Sequence, residues 1–296
     1  MADAVGVIGV GAMGLGIVRS LVRGGFETIG RDIDATRESL ARSSGARVVA
    51  SAAQTGAAAQ VTIVVVVDAA QVEEVLAGAQ GLLSTVGPGS LVMLCSTIAP
   101  EDAARLAARI EQTGALALDA PISGGPARAE AGTMSVMLAG RRDALKHAEP
   151  VLAAISGKRF VIGERHGDAM RAKLVNNLMA GINLMAGAEA LALAERLGLE
   201  SRAMLGLIAA SSGQSWMFED RMARALAGDY APRAQAHVLT KDLTLANAAA
   251  AAAGVELPLG AVARELLRAT CEGGWRDEDD AAALKYYRRR FGLPQA

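Results

Sequence analysis

The chain has 296 residues, and its 30 Lys and Arg nearly balance its 31 Asp and Glu, a formal charge of −1 that offers no bulk attraction for nucleic acid or acidic lipid. With 52% apolar residues, 33 Gly and 8 Pro, the composition suits well-filled cores and excludes a disordered or collagen-like chain, and roughly 150 residues per domain predicts about two domains. Two cysteines, Cys95 and Cys271, allow at most one disulfide and no four-thiolate metal site, so no metal is expected and a reducing compartment is the simple reading.

An apolar run begins at Ala4 with no basic leader, and Gly9, Gly11 and Gly14 interrupt it, which argues against a signal peptide and for a cytoplasmic protein. Short β-branched runs then alternate with Ala-rich helical stretches, the rhythm of a parallel sheet with crossover helices. The strands are expected at Val5–Gly9, Thr28–Arg31, Val61–Val67, Leu91–Cys95, Ala115–Asp119, Met134–Ala139 and Arg159–Ile162.

Gly9-Val10-Gly11-Ala12-Met13-Gly14 joins the first strand to a helical stretch, Leu15 to Gly24. Each glycine has its own physical task. Gly9 permits the tight turn, Gly11 lets the backbone approach a pyrophosphate, and Gly14 lets the helix pack closely on the strand. The helix start offers free N–H groups and a positive dipole end to that anion. Asp32 follows Gly14 by 18 residues and ends the second strand, near the offset at which a carboxylate takes the adenosine ribose hydroxyls. A carboxylate there repels a 2′-phosphate, so NAD is preferred. Arg31 beside it leaves NADP possible, because strand neighbours face opposite ways and only one of the two can read the ribose.

Asp119 to Pro126 ends a strand and carries Ser123-Gly124-Gly125, a turn whose hydroxyl and backbone amides could hold a carboxylate or serve only as a turn. After Gly163 the strand signal disappears. The composition shift places a boundary near Glu164, giving a dinucleotide-binding domain over 1–164 and an all-helical substrate and dimerisation domain over 165–296. The helical half is expected to break at Gly198, Ser211–Gln214, Gly228–Pro232 and Pro258.

A linking helix is predicted over 168–197, about 45 Å long and apolar nearly all round. It either bridges the domains with a second subunit against it, as in a homodimer or homotetramer, or is a core helix of a monomer. The 21 residues from Leu174 to Ala194 include Asn176, Asn177, Asn183 and Glu189, costly groups for a span, so no membrane is expected. Lys173 and Asn177 lie four apart on one face, with Asn176 beside them, and a polar patch in so apolar a helix needs a reason. Lys241-Asp242 is read as opening a later helix, where it could be a plain surface pair.

Together G-V-G-A-M-G (Gly9 to Gly14), D-A-P-I-S-G-G-P-A-R-A-E-A-G-T (Asp119 to Thr133), K-L-V-N-N (Lys173 to Asn177) and K-D-L-T-L-A (Lys241 to Ala246) resemble the β-hydroxyacid dehydrogenase family nearly end to end. Its members include 3-hydroxyisobutyrate dehydrogenase and tartronate semialdehyde reductase. The resemblance implies an α/β Rossmann-type N-terminal domain with a parallel-rich sheet, followed by an all-α C-terminal domain joined by a long interdomain helix.

It also implies that Lys173 donates or accepts the proton, that Ser123, Gly124 and Gly125 hold the substrate carboxylate, and that Asn177 binds substrate beside the lysine. Thr97 would touch the cofactor, along with Gly9, Gly11, Ala12, Met13, Gly14 and Asp32, and Lys241 would sit near the nicotinamide. Ser215 to Met222, Gly228 to Arg233 and Glu278 to Asp280 look like segments of the family's four-carbon sugar-acid dehydrogenases. Two departures stand out. Gly167-Asp168-Ala169 replaces a usual G-x-G, and Pro232-Arg233 stands where many members place an aromatic residue, which makes Arg233 a further carboxylate contact.

A lysine near pKa ~10.4 is a poor base at neutral pH, so burial and a neighbouring cation such as Lys241 would have to lower it. Imine reductases share the architecture but generally lack the lysine, 6-phosphogluconate dehydrogenases have a much larger helical domain, and non-catalytic nucleotide-sensing relatives lose the lysine.

Overall fold

The computed structural model describes residues 4–294, and the chain divides into two compact units, Met1–Lys173 and Leu174–Ala296. The first holds a sheet of nine strands: β1 (Ala4–Ile8), β2 (Glu27–Arg31), β3 (Arg47–Val48), β4 (Val61–Val64), β5 (Leu91–Leu94), β6 (Leu116–Asp119), β7 (Ile122–Ser123), β8 (Met134–Ala139) and β9 (Ser156–Gly163). Its parallel part runs β3-β2-β1-β4-β5-β6, the doubly wound order in which the chain reverses direction across the sheet beside β1.

β4 and β5 are buried at every residue, which is why they read as continuous apolar runs. Alternate residues serve opposite faces. Val61, Ile63, Leu91 and Met93 pack with Ile17, Val18 and Leu21 of the helix Ala12–Arg23, while Val64, Val92 and Leu94 pack with Val72, Leu76, Leu106 and Ile110 on the other side. The two-residue strands β3 and β7 are too short for periodicity to reveal.

Two strands, β8 and β9, depart from the parallel rhythm. β8 runs antiparallel to β6 and β7, and β9 then returns parallel to β8 through the helix Arg142–Ile155. The cause lies after β7, where Gly124 (φ 133°) and Gly125 (φ 75°) turn the chain into a short helix, Gly125–Ala131. That helix packs on the helix Ala12–Arg23 instead of crossing the sheet. Gly16 allows the approach, since a Cβ there would meet Ala129 at 2.8 Å.

The long helix runs from Asp168 to Arg196, and Gly198 (φ 77°) follows its end. By length and composition it could cross a membrane, yet half of its most apolar window is buried in protein. In the second unit Leu184, Met185, Ala188, Leu191 and Ala192 form its inward face, packed with Phe218, Leu243, Leu267 and Tyr287. The helix holding Lys241 and Asp242 spans Ala236–Ala252, so the pair lies within that helix and does not open it. The helix begins earlier because Gln235 is held in a bridge to Asp279 and the Asp280 N–H donates to the Ala234 carbonyl at 2.8 Å.

Candidate active site

β1 ends in a turn that only glycine can make. Gly9 has φ 93°, and a Cβ there would strike the Val65 backbone. Gly14 faces the Gly9 carbonyl so closely that any side chain would collide with it. Gly11 is the N-cap of the helix Ala12–Arg23, and nothing lies within 4 Å of where its Cβ would be. That open space above a helix start, beside an exposed Ala12 and a half-buried Met13, fits a dinucleotide pyrophosphate.

At the end of β2, Asp32 Oδ2 accepts from the Val10 N–H at 2.6 Å and Oδ1 from the Asp34 N–H at 3.0 Å. The carboxylate is thereby fixed against the glycine turn. Arg31 points elsewhere, its guanidinium bonded to Glu38 at 2.7 Å and to the Asp32 carbonyl. Beside them Ile33 is 94% exposed. After β5, Ser96 accepts from the Val66 N–H at 2.9 Å and ties the half-buried Thr97 loop to the loop following β4. Cys95 is a buried free thiol whose pKa is pushed up to about 12 by that burial, so it is an inert packing residue.

Ser123 sits on β7 opposite Ser135, half buried, and leads into Gly124 and Gly125. Gly124 faces the Arg128 side chain, where a Cβ would come within 2.7 Å, whereas the space at Gly125 is open. The same segment begins with Asp119, fully buried at the end of β6. Its Oδ2 accepts from the Gly167 N–H at the start of the long helix, and its Oδ1 meets His166 Nδ1 at 3.1 Å. His166 Nε2 lies 3.4 Å from Glu111. Burial pulls the His166 pKa down, but the hydrogen bond and charge of Asp119, then those of Glu111, outweigh it and leave the pKa raised. Asp119 opens the Asp119 to Thr133 segment, but no local pattern marks it or His166 as paired.

Lys173 and Asn177 are both buried on one face of the long helix, one turn apart, whereas Asn176 is exposed. In the second unit Asn177 Nδ2 donates to Asp242 Oδ2 at 2.5 Å, and Lys241 Nζ lies 3.0 Å from Asp242 Oδ1. Asp242 therefore orders two of the expected ligand groups. In the sequence it is only the second half of an ordinary Lys-Asp pair.

The three C-terminal segments converge in the second unit. Arg221 bonds Asp280 at 2.5 Å and also pairs with Asp220, while Arg224 lies 3.0 Å from Asp279. Asp279 Oδ2 accepts from the N–H groups of Arg233 and Ala234 at 2.9 and 3.1 Å. Lys285 bonds Glu278 at 2.6 Å and sits 3.8 Å over the Tyr230 ring. Burial pushes Asp280 up to about 7 despite the pull of Arg221, with the neighbouring Asp279 adding to the rise. The Arg233 side chain is exposed and pairs with Asp229 at 2.9 Å.

A family profile for the NAD-binding domain of 6-phosphogluconate dehydrogenase matches residues 4–163, and one for the NAD-binding of NADP-dependent 3-hydroxyisobutyrate dehydrogenase matches 167–287. The chain belongs to the 3-hydroxyisobutyrate dehydrogenase-like family of β-hydroxyacid dehydrogenases. Within that family it is 39% identical to L-threonate dehydrogenase of Cupriavidus necator, covering 97% of each chain. It is 38% identical to L-threonate dehydrogenase of Escherichia coli strain K12, covering 96% of this chain and 94% of the relative. The crystal structure of 3-hydroxyisobutyrate dehydrogenase from Salmonella typhimurium superposes with a TM-score of 0.90 at 36% identity, over 96% of this chain and 99% of that one. The protein is thus an oxidoreductase of CH–OH donors that uses a nicotinamide dinucleotide.

Proposed function

We propose that this dehydrogenase oxidises a four-carbon sugar acid of the L-threonate type to its keto acid, with NAD as the preferred acceptor. The observation that carries the reading is the buried Lys173–Asn177 turn, an amine and an oriented amide on one face of an otherwise apolar helix, with Asp242 holding the amide. The substrate class is supported by the two L-threonate dehydrogenases and by the convergence of the three sugar-acid segments around Arg221 and Asp279.

Gly9, Gly11, Ala12, Met13 and Gly14 hold the dinucleotide, Asp32 takes its ribose hydroxyls, and Thr97 and Lys241 make further contacts with it. When bound, the nicotinamide supplies the hydride acceptor at C4. Ser123 and the amides of Gly124 and Gly125 hold the substrate carboxylate, with Arg233 as a further, cationic contact. Asn177 orients the substrate, and Lys173 Nζ takes the hydroxyl proton as the carbinol carbon becomes a carbonyl. Residues 1–164 form the dinucleotide-binding domain, which also supplies the carboxylate-binding turn, and 165–296 the substrate and dimerisation domain, which also supplies Lys241, in a cytoplasmic homodimer or homotetramer.

The test is a panel of hydroxy acids, L-threonate, 3-hydroxyisobutyrate and glycerate, each with NAD and NADP, on the wild type and Lys173→Met. L-Threonate with NAD is expected to give the highest kcat/KM, and Lys173→Met to lose turnover by at least about 10²-fold with NADH binding retained. Unchanged kcat in that variant would sink the acid–base assignment. A preference for 3-hydroxyisobutyrate or glycerate would sink the substrate assignment.

A further inference from the structure

We propose that Asp119 and His166 are positioning residues that lock the start of the lysine helix to the end of the strand preceding the carboxylate-binding turn. The proposal rests on Lys173 being the acid–base group.

Both oxygens of one buried carboxylate are committed to the chain just before the helix: Oδ2 to the Gly167 N–H and Oδ1 to His166 Nδ1 at 3.1 Å. Gly167 is where the helix begins, since its carbonyl accepts from the Arg171 N–H at 2.9 Å. It also has no room for a side chain. Its φ is 94°, and a Cβ would come within 2.7 Å of the Pro100 carbonyl. His166 adds a second tether, to Glu111 at the end of the helix Pro100–Glu111. The next residues, Ala169 and Met170, are buried against the sheet side of the first unit, Ala169 with Met137 and Ala139 and Met170 with the cluster around Leu94 and Leu106.

The geometry matters because Asp119 stands at both ends of the problem. Ser123 follows it by four residues along the chain, and Lys173 follows Gly167 by six along the helix. Six residues of helix are about 9 Å, so a tilt of ~10° at Gly167 moves Lys173 by ~1.5 Å. A displacement of that size at a reacting group costs on the order of 10²-fold in rate. A buried carboxylate is also an expensive way to hold a turn, which water or a small polar residue could satisfy at the surface.

The experiment compares His166→Ala, His166→Asn and Asp119→Asn with the wild type in L-threonate oxidation, alongside Lys173→Met. In Asn the side-chain amide lies where Nδ1–H of the imidazole lies, so it keeps the donor to Asp119 and loses only the Glu111 contact. His166→Ala is expected to lower kcat at least tenfold, with the NADH dissociation constant and the KM for NAD within twofold of wild type. His166→Asn is expected to recover kcat to within about threefold, and Asp119→Asn to fall between the two. A role confined to stability would lower Tm and leave kcat per folded enzyme intact. That result in His166→Ala, or equal kcat loss in the Ala and Asn variants, overturns the proposal. Unchanged kcat in Lys173→Met overturns instead the acid–base reading beneath it.

Discussion

On the proposed function, the choice of cofactor rests on which of two neighbours, Arg31 or Asp32, faces the ribose. The Val10 N–H fixes the carboxylate beside the glycine turn, while Glu38 draws the Arg31 guanidinium into an ion pair. A 2′-phosphate would meet the Asp32 charge before it could recruit Arg31 from Glu38. Replacing Asp32 with Ala and the exposed Ile33 with Arg removes the repulsion and supplies a bidentate donor. The double variant is expected to move the ratio of kcat/KM for NAD over NADP by at least tenfold toward NADP, measured at one fixed substrate concentration. No change in that ratio would mean that Arg31 already reads the position. The glycine turn, and the placing of a carboxylate beside it, were legible in the sequence because each residue type answers a backbone or charge requirement at a fixed offset. Asp242, Asp119 and His166 were not, since their partners lie 65, 48 and 47 residues away and no local pattern records the pairing.

Among the elements, the segment 229–235 has almost no regular structure of its own, and its order comes from carboxylates that are remote in sequence. Asp279 binds two of its N–H groups and faces Arg224 and Arg221 at 3.0 and 3.6 Å, while its own N–H donates to the Tyr230 carbonyl at 3.1 Å. Burial works against the charged form, but Arg221 and then the backbone donors hold the Asp279 carboxyl below its usual range. Asp279→Ala therefore leaves two buried guanidiniums short of a partner and the N–H groups of Arg233, Ala234 and Ala281 without their acceptor. We expect a loss of about 3–5 kcal/mol in urea unfolding, with the amides of Arg233 and Ala234 among the first to gain hydrogen exchange. A loss under 1 kcal/mol would show that Asp280 and Asp229 carry the network without it. The sequence marked these segments as belonging together by resemblance, and the ion pairs supply the physical reason. It misread the helix around Lys241, because the bridge between Gln235 and Asp279 that sets its start is a long-range contact.

For the molecule as a whole, the helix that reads as apolar all round has two apolar faces with different fates. One is buried in the second unit's core. The other carries Val175, Met179, Ala186 and Leu193, spaced by four and seven residues, and Val175 and Met179 are 69% and 59% exposed in the single chain. That spacing is a heptad seam, the pattern by which one helix packs lengthwise on another. Large contiguous apolar stripes are uncommon on monomers, and this one continues directly from the turn that carries Lys173. We propose that a second copy of the chain covers it. A symmetric pairing would place each seam against its twin, with Glu189 as a polar break that sets the register. Val175→Lys with Met179→Lys introduces two charges into each seam, and hence four across a symmetric contact. The variant is expected to elute as a monomer by size-exclusion chromatography with light scattering at concentrations where the wild type is a dimer or tetramer. Its far-ultraviolet circular dichroism should be unchanged, because both side chains point away from the core of their own unit. A wild type that is monomeric would overturn the pairing, and a double variant that keeps the wild-type mass would place the subunit contact elsewhere.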